Sequence, residues 1–226
     1  MSDSAQKLRV VALIPAYNEQ ERIGDTVRAA LSIEVIERVI VIDDGSRDET
    51  ARIAEDAGAK VIRLAHNVGK GGALNEAAKR CEDADIVVLL DGDLGSTAHE
   101  AEKLLEPVIA GVADMTIATF PPAGKAGFGL VKNLAAKAIE KTGSSFVPQA
   151  PLSGQRALTR KCLDATLPFG SGYGAEVILT VRALQKGFCL LEVATTMTHA
   201  ATGRDVAGFV HRGRQFWHVW NAVRRA

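Results

Sequence analysis

The 226-residue sequence has little of several features that would place it in a specialised class of protein. It has three cysteines, Cys81, Cys162 and Cys189, an odd number without the spacing of zinc ligands, which indicates thiols in a reducing compartment. Its formal net charge is zero, so we expect no nucleic-acid partner. No apolar run has the length of a bilayer span, and the start MSDSAQKLRV has no signal-peptide core. We therefore expect a cytoplasmic protein.

The residues that are abundant predict an ordinary globular α/β domain. Hydrophobic residues make up 47% of the chain and charged residues 24%, which is enough apolar material for a substantial core. Short β-branched apolar runs alternate with amphipathic stretches, which predicts strands at about 8–14, 38–43, 59–65, 85–90 and 114–119 with helices between them. This alternation indicates a mostly parallel, Rossmann-like sheet covered by helices on both faces.

The second half of the chain is less regular. It predicts a helix over 128–141, a segment 147–160 leading into another helix, a glycine-rich loop that opens a further helix, and a last strand over 188–199. We find no linker or repeat, so we predict one domain over residues 1–226.

Polar residues follow the apolar strands in PAYNE, DDGS, AHNVGKGG and DGDLGS. In parallel sheets, ligands bind beyond the carboxyl ends of the strands, so these four stretches should line one rim. Asp91 and Asp93 supply the oxygens that divalent cations prefer, and Lys70 among glycines at a helix start suits an anion. The alternatives are a solvated turn for the aspartates and a flexible loop for the lysine. Two capping boxes are also predicted, Ser46 with Glu49 and Thr97 with Glu100.

In this order, IPAYNE, VIDDGSRDET, NVGKGGALN and LLDGDL resemble the nucleotide-binding half of family 2 glycosyltransferases with the GT-A fold. The resemblance is strong over about 8–120 and looser to about 200. It implies a nucleoside-diphosphate sugar, UDP- or GDP-linked, as sugar donor, and Mg²⁺ or Mn²⁺ as cofactor. The residues that it implies for binding the sugar donor are Pro15, Ala16, Tyr17, Glu19, Asp43, Asp44, Lys70 and Asp91.

The second half, about 121–200, is similar to the ending of polyprenyl-phosphate sugar transferases and glucosyl-phosphoglycerate synthases, through GSGYGAE and the later EV and His. This similarity implies a phosphorylated acceptor, and the absence of the QxxRW signature of processive family 2 enzymes indicates transfer of one hexose. Glu176 and Asp93 are the implied catalytic residues, and His199 would join Asp91 and Asp93 at the metal. The residues implied for acceptor binding are Lys125, Ser153, Gly154, Arg156 and Tyr173. Glu176 could instead act as a helix-dipole partner, and His199 as a satisfied histidine at a strand end.

The C-terminal stretch 203–226 combines aromatic residues and arginines at helical spacing. Such a helix suits the inner face of a membrane, its own domain or a second subunit in a homodimer, and these alternatives stay open. Two other functions also stay open at this point: a sugar nucleotidyltransferase, and a non-catalytic module that binds nucleotide sugars.

Overall fold

The computed structural model of the chain describes residues 7–120, 129–170 and 175–199. One sheet contains seven strands: β1 Val10–Ala16, β2 Ile36–Asp43, β3 Lys60–Arg63, β4 Ile86–Leu89, β5 Met115–Thr119, β6 Arg156–Thr159 and β7 Leu190–Ala194. Their order across the sheet is β3-β2-β1-β4-β6-β5-β7. The four strands β3, β2, β1 and β4 are parallel neighbours, so their carboxyl ends share one edge of the sheet, as predicted.

Helices cover both faces of this sheet. Their bounds are α1 Ile23–Leu31, α2 Thr50–Asp56, α3 Lys70–Ala78, α4 Ala101–Ile109, α5 Gly129–Glu140, α6 Arg160–Thr166 and α7 Ala175–Gln185, and a 3₁₀ helix spans Gly95–Glu100. Val10, Ala12 and Ile14 of β1 pack in one core with α1 and α4. Val11 and Leu13 point to the opposite core, against α3 and α6. Because both faces of β1 are buried, its sequence is continuously apolar.

Strand β6 was not predicted. It lies between β4 and β5 and runs antiparallel to both, so that Ala157 is opposite Val88 on one side and Thr116 on the other. The sequence favoured a loop leading into a helix because the strand is only four residues long and begins with a fully buried arginine, Arg156. The last strand is also shorter than predicted, since β7 ends at Ala194.

Both predicted capping boxes are wrong, because the hydroxyl groups bind other parts of the chain. The Ser46 hydroxyl accepts a hydrogen bond from the Asn18 N–H, and helix α2 begins only at Thr50. The Thr97 hydroxyl accepts a hydrogen bond from the Thr198 N–H, and it donates to the carbonyl of Leu94, the residue before the 3₁₀ helix. Gly58 follows α2 with a φ of 101°, the left-handed conformation in which a glycine commonly ends a helix.

Within the described ranges, none of the helices combines the length and the apolar character needed to cross a membrane.

Candidate active site

Three polar side chains meet at the rim beyond the end of β4, where a metal ion could be held. Asp91 and Asp93 follow the strand directly, and His199 follows β7. The ligand atoms of the three residues all lie within 4.8 Å of one another. His199 Nδ1 is 3.0 Å from Asp93 Oδ1 and 4.0 Å from Asp91 Oδ2. Two carboxylates and an imidazole suit Mg²⁺ or Mn²⁺, so the donor set fits the predicted cofactor.

Asp91 is also the centre of a network of charged and polar groups. The Lys70 ammonium is 2.6 Å from Asp91 Oδ1 and 3.0 Å from Glu176 Oε1. The side-chain amide of Gln155 donates to Asp91 Oδ2 at 2.6 Å. Gly154 packs against the ion pair so closely that a Cβ at this position would lie 2.2 Å from Lys70 Nζ. The network therefore joins α3, the β4 end, β6 and α7 at one point.

The electrostatics of the site favour the ionised forms of Asp91 and Lys70. Burial alone would raise the pKa of Asp91, but the nearby Lys70 ammonium outweighs it and holds that pKa below its usual range. Burial alone would lower the pKa of Lys70, but the carboxylates of Asp91 and Glu176 raise it. The hydrogen bond to Asp93 raises the pKa of His199. Excess negative charge remains around Glu19, whose pKa rises to about 7 through burial and the carboxylates of Asp93 and Asp91.

The residues predicted to bind the sugar donor lie along the ends of β1 and β2. Pro15 and Ala16 end β1, and Tyr17 follows with 43% of its surface exposed. Glu19 is fixed through its backbone N–H, which donates to the Thr50 hydroxyl at 2.7 Å. The structure therefore brings this part of the predicted set together at one edge.

Asp43, the last residue of β2, and Asp44, the next residue, are buried and bind loops. Asp43 accepts a hydrogen bond from the Ser46 N–H at 3.0 Å. Asp44 accepts hydrogen bonds from the N–H groups of Val68 and Gly69, at 2.7 and 2.8 Å, one to each carboxylate oxygen. Asp44 thus holds the loop that leads into Lys70, and a contact to a base or ribose would share oxygens already used by this loop.

The predicted acceptor residues fall into two groups. Ser153 and Gly154 lie next to the network, and Ser153 donates to the Gln155 side-chain oxygen at 3.4 Å. Arg156 is completely buried instead, and its guanidinium donates to the Ser153 carbonyl and the Thr180 hydroxyl. Burial lowers the pKa of Arg156 to about 10, and among the described residues its Nη2 has no hydrogen-bond partner. Arg156 therefore stabilises the segment around Ser153 from the interior of the domain. Lys125 and Tyr173 lie outside the described residues.

Gln155 is the residue of the network that the sequence did not reveal. It is fully buried and touches Asp91, although 64 positions separate the two residues. The one available signal is its place in SGQR, directly before β6. Because β6 was not predicted, that signal could not be connected to β4.

The model of the family described as "Glycosyl transferase family 2" matches residues 11–173, which is most of the chain. The chain belongs to glycosyl transferase family 2. The match includes the rim loops, Asp91, Asp93, Lys70 and Gln155, whereas Glu176 and His199 lie beyond it.

Two relatives of this family 2 chain show how similar its sequence is to those of known proteins. It is 36% identical over 205 residues to the glycosyltransferase AglJ of Haloferax volcanii, covering 87% of this chain and 65% of AglJ. It is 28% identical over 212 residues to the polyprenol monophosphomannose synthase of Mycolicibacterium smegmatis, covering 86% of this chain and 79% of the synthase. The chain spans less than two thirds of the length of AglJ.

A solved structure confirms the predicted GT-A fold. The crystal structure of glucosyl-3-phosphoglycerate synthase from Mycobacterium tuberculosis with Mn²⁺, uridine diphosphate and phosphoglyceric acid matches with a TM-score of 0.77 and 24% identity. The match covers 96% of this chain and 78% of the synthase. The family 2 chain therefore shares the fold of that enzyme over the matched part of both chains.

Proposed function

We propose that the protein is a metal-dependent glycosyltransferase that moves one hexose from a UDP- or GDP-linked sugar to a phosphorylated acceptor. The observation that carries the proposal is the meeting of Asp93, His199 and Asp91 with Lys70 on one rim of a family 2 fold. A cation site beside a lysine suits a metal-bound diphosphate, because the diphosphate oxygens can bind both the metal ion and the lysine ammonium.

The sugar donor would lie across the strand ends, with its nucleoside near Pro15, Ala16, Tyr17, Glu19 and Asp43 and its diphosphate near Lys70. Lys70 is the first residue of α3, a nine-residue helix whose N-terminus favours an anion. Asp91 and Glu176 keep the ammonium charged and hold it in place. Lys70 would then donate hydrogen bonds to phosphate oxygens as a compact point charge.

Asp93 and His199, together with Asp91, would hold the divalent cation. When bound there, it would neutralise the negative charge that develops on the departing nucleoside diphosphate. The protein's own contribution is to keep the three ligands close and oriented before the sugar donor arrives.

The acceptor would approach from the side of Ser153, Gly154 and Glu176. The side chain of Glu176 is 12% exposed and pairs with Lys70, which supports a position for it between sugar donor and acceptor. A hydroxyl acceptor would need a base within hydrogen-bond reach, whereas a phosphate acceptor is already ionised and needs none. The polyprenol monophosphomannose synthase and the phosphoglycerate-bound structure among the similar proteins support a phosphorylated acceptor.

The test is a transfer assay with purified protein, UDP- and GDP-hexoses, Mn²⁺, and either a polyprenyl phosphate or 3-phosphoglycerate, with mass spectrometry of the product. Asp93→Asn should lower kcat/KM at least about a hundredfold, because charge stabilisation by a metal is worth several kcal/mol. Asp25→Asn is the matched control, since Asp25 lies on the surface of α1 with its side chain 60% exposed. Undiminished transfer by Asp93→Asn, or in EDTA, would refute the metal role.

The same assay separates the rival functions. Pyrophosphate release from a nucleoside triphosphate and a sugar phosphate would indicate a nucleotidyltransferase. Binding of the sugar donor without turnover under any condition would indicate a binding module.

A lipid acceptor would place the protein at the cytoplasmic face of a membrane. Segment 203–226, which lies outside the described residues, supplies the arginines for that contact. Flotation on anionic liposomes, compared between the chain and Arg224→Glu with Arg225→Glu, tests this location. Gel filtration of the same samples tests the homodimer.

A further inference from the structure

The proposed metal ligand His199 lies five residues beyond the end of β7, on a segment that leaves the sheet. Strand β7 ends at Ala194, and Thr195–His199 has no regular structure. Two residues of this segment are anchored to the domain: Thr195 donates to the Thr119 carbonyl, and Met197 is buried in the core. The position of His199 therefore depends on whatever else holds the segment.

Glu100 holds it through a charged hydrogen bond. The Thr196 N–H donates to Glu100 Oε2 at 2.9 Å, and Lys103 Nζ lies 2.7 Å from the same oxygen. The side chain of Glu100 is only 9% exposed. The hydrogen bond from Lys103, with that from Thr196, lowers the pKa of Glu100, so the carboxylate is ionised at neutral pH. A hydrogen bond to an ionised acceptor is among the stronger kinds in proteins.

A second contact lies closer to the histidine. The Thr198 N–H donates to the Thr97 hydroxyl at 3.1 Å. Thr97 and Glu100 both belong to the 3₁₀ helix, which begins two residues after Asp93. The short stretch 93–100 thus carries one metal ligand at its start and, through Thr97 and Glu100, holds the segment of another. The distance between Asp93 and His199 is set within this small unit.

We propose that Glu100 is a positioning residue for the metal site, which fixes His199 opposite Asp93 through the backbone of Thr196. The inference rests on the proposed metal-dependent function and adds to it a residue that touches neither metal nor substrate. Groups behind metal ligands commonly change metal affinity by about ten- to a hundredfold. Glu100 acts one step further away, through backbone, so the lower end of that range applies.

The proposal predicts a separation between metal binding and nucleotide binding. Glu100→Ala removes the acceptor for Thr196 N–H and should weaken Mn²⁺ binding about tenfold. Uridine diphosphate affinity in EDTA should stay unchanged, because the residues proposed to bind the nucleoside lie at the ends of β1 and β2, and Lys70, proposed to bind the diphosphate, lies on α3. Glu100→Gln keeps an acceptor oxygen in the same place and should retain most of the Mn²⁺ affinity.

The experiment measures Mn²⁺ affinity by electron paramagnetic resonance and nucleotide affinity by calorimetry, on the full chain. Glu102→Ala is the matched control, since Glu102 is an exposed glutamate two positions along, on α4. If circular dichroism shows that Glu100→Ala does not fold, Thr97→Val replaces it, because it removes the acceptor for Thr198 N–H.

The outcomes are distinct. Weaker Mn²⁺ binding in Glu100→Ala, with recovery in Glu100→Gln and no change in Glu102→Ala, supports the proposal. Wild-type Mn²⁺ affinity in Glu100→Ala, or in Thr97→Val where that variant is used, overturns it and leaves the proposed function intact. A wild-type chain with no affinity for Mn²⁺, even with uridine diphosphate present, overturns both.

Discussion

A methyl group at position 154 should displace the Lys70 ammonium from the site. The Cβ of Gly154→Ala would lie 2.2 Å from Lys70 Nζ and 3.3 Å from both carboxylate oxygens of Asp91. Ordinary van der Waals contact begins near 3.4 Å, so Nζ has to withdraw by about 1.2 Å. Gly154 has no positive φ, so the methyl group costs nothing else in backbone strain.

The upper limit of the effect follows from the ion pair that this withdrawal weakens. A movement of Nζ directly away from the methyl group runs nearly at right angles to its 2.6 Å contact with Asp91 Oδ1, and it lengthens that contact to about 2.9 Å while tilting the ammonium away from its bonding direction. Hydrogen bonds to charged groups contribute about 1.5–3 kcal/mol. The Lys70 and Asp91 side chains are 31% and 26% exposed, so solvent screening favours the lower end, about 1.5 kcal/mol. A loss of this size at the diphosphate, the upper limit, would weaken binding of the sugar donor about tenfold.

A double-mutant cycle isolates the cause. Urea unfolding and calorimetric titration with uridine diphosphate are compared for Gly154→Ala, Lys70→Ala and the double variant. The cost of Gly154→Ala should largely disappear in the Lys70→Ala background, because the shortened side chain no longer meets the methyl group. Fully additive costs, or a Gly154→Ala protein equal to wild type in both measurements, would refute this reasoning.

Two further residues allow sharp tests. Asp44→Asn should lower the free energy of unfolding by about 1–3 kcal/mol, because an amide can offer only one acceptor oxygen to the Val68 and Gly69 N–H groups; unchanged hydrogen exchange at these two amides would contradict it. Glu19 has a pKa of about 7 in the fold against 4.5 ordinarily, so the folded chain binds the extra proton between these values. The free energy of unfolding of the metal-free protein should therefore fall as pH rises from 4.5 to 7, and Glu19→Gln should flatten this slope. An equally steep slope in Glu19→Gln, measured by urea unfolding across that pH range, would exclude Glu19 as its source.

The parallel half of the sheet was predictable because burial on both faces makes its strands continuously apolar. Val10–Ala16, Ile36–Asp43 and Ile86–Leu89 correspond to predicted strands within about two residues at most ends. The polar residues that follow them then had to share an edge, which is a property of parallel sheets and needs no side-chain detail. The GT-A fold and the gathering of Asp91, Asp93 and Lys70 were therefore within reach of the sequence.

The contacts between distant loops were not within reach. Ser46 and Thr97 have helix-capping neighbours in the sequence, yet their hydroxyls bind Asn18 and the segment around Thr198. Local pattern cannot distinguish a hydroxyl that caps its own helix from one that holds another loop. Gln155 was missed for a related reason, since its partner Asp91 is adjacent only after β6 enters the sheet in antiparallel direction.

That antiparallel strand also determines how this domain can be divided or recombined. β5 precedes β6 in the chain but pairs only with β6 and β7, both of which come from beyond residue 150. A fragment ending at residue 120 would leave β5 without either neighbour and expose one edge of β4, a surface prone to aggregation. Chimaeras that exchange acceptor specificity between family members should therefore keep β6 with the sheet that receives it, and place their junctions outside Ser153–Thr159.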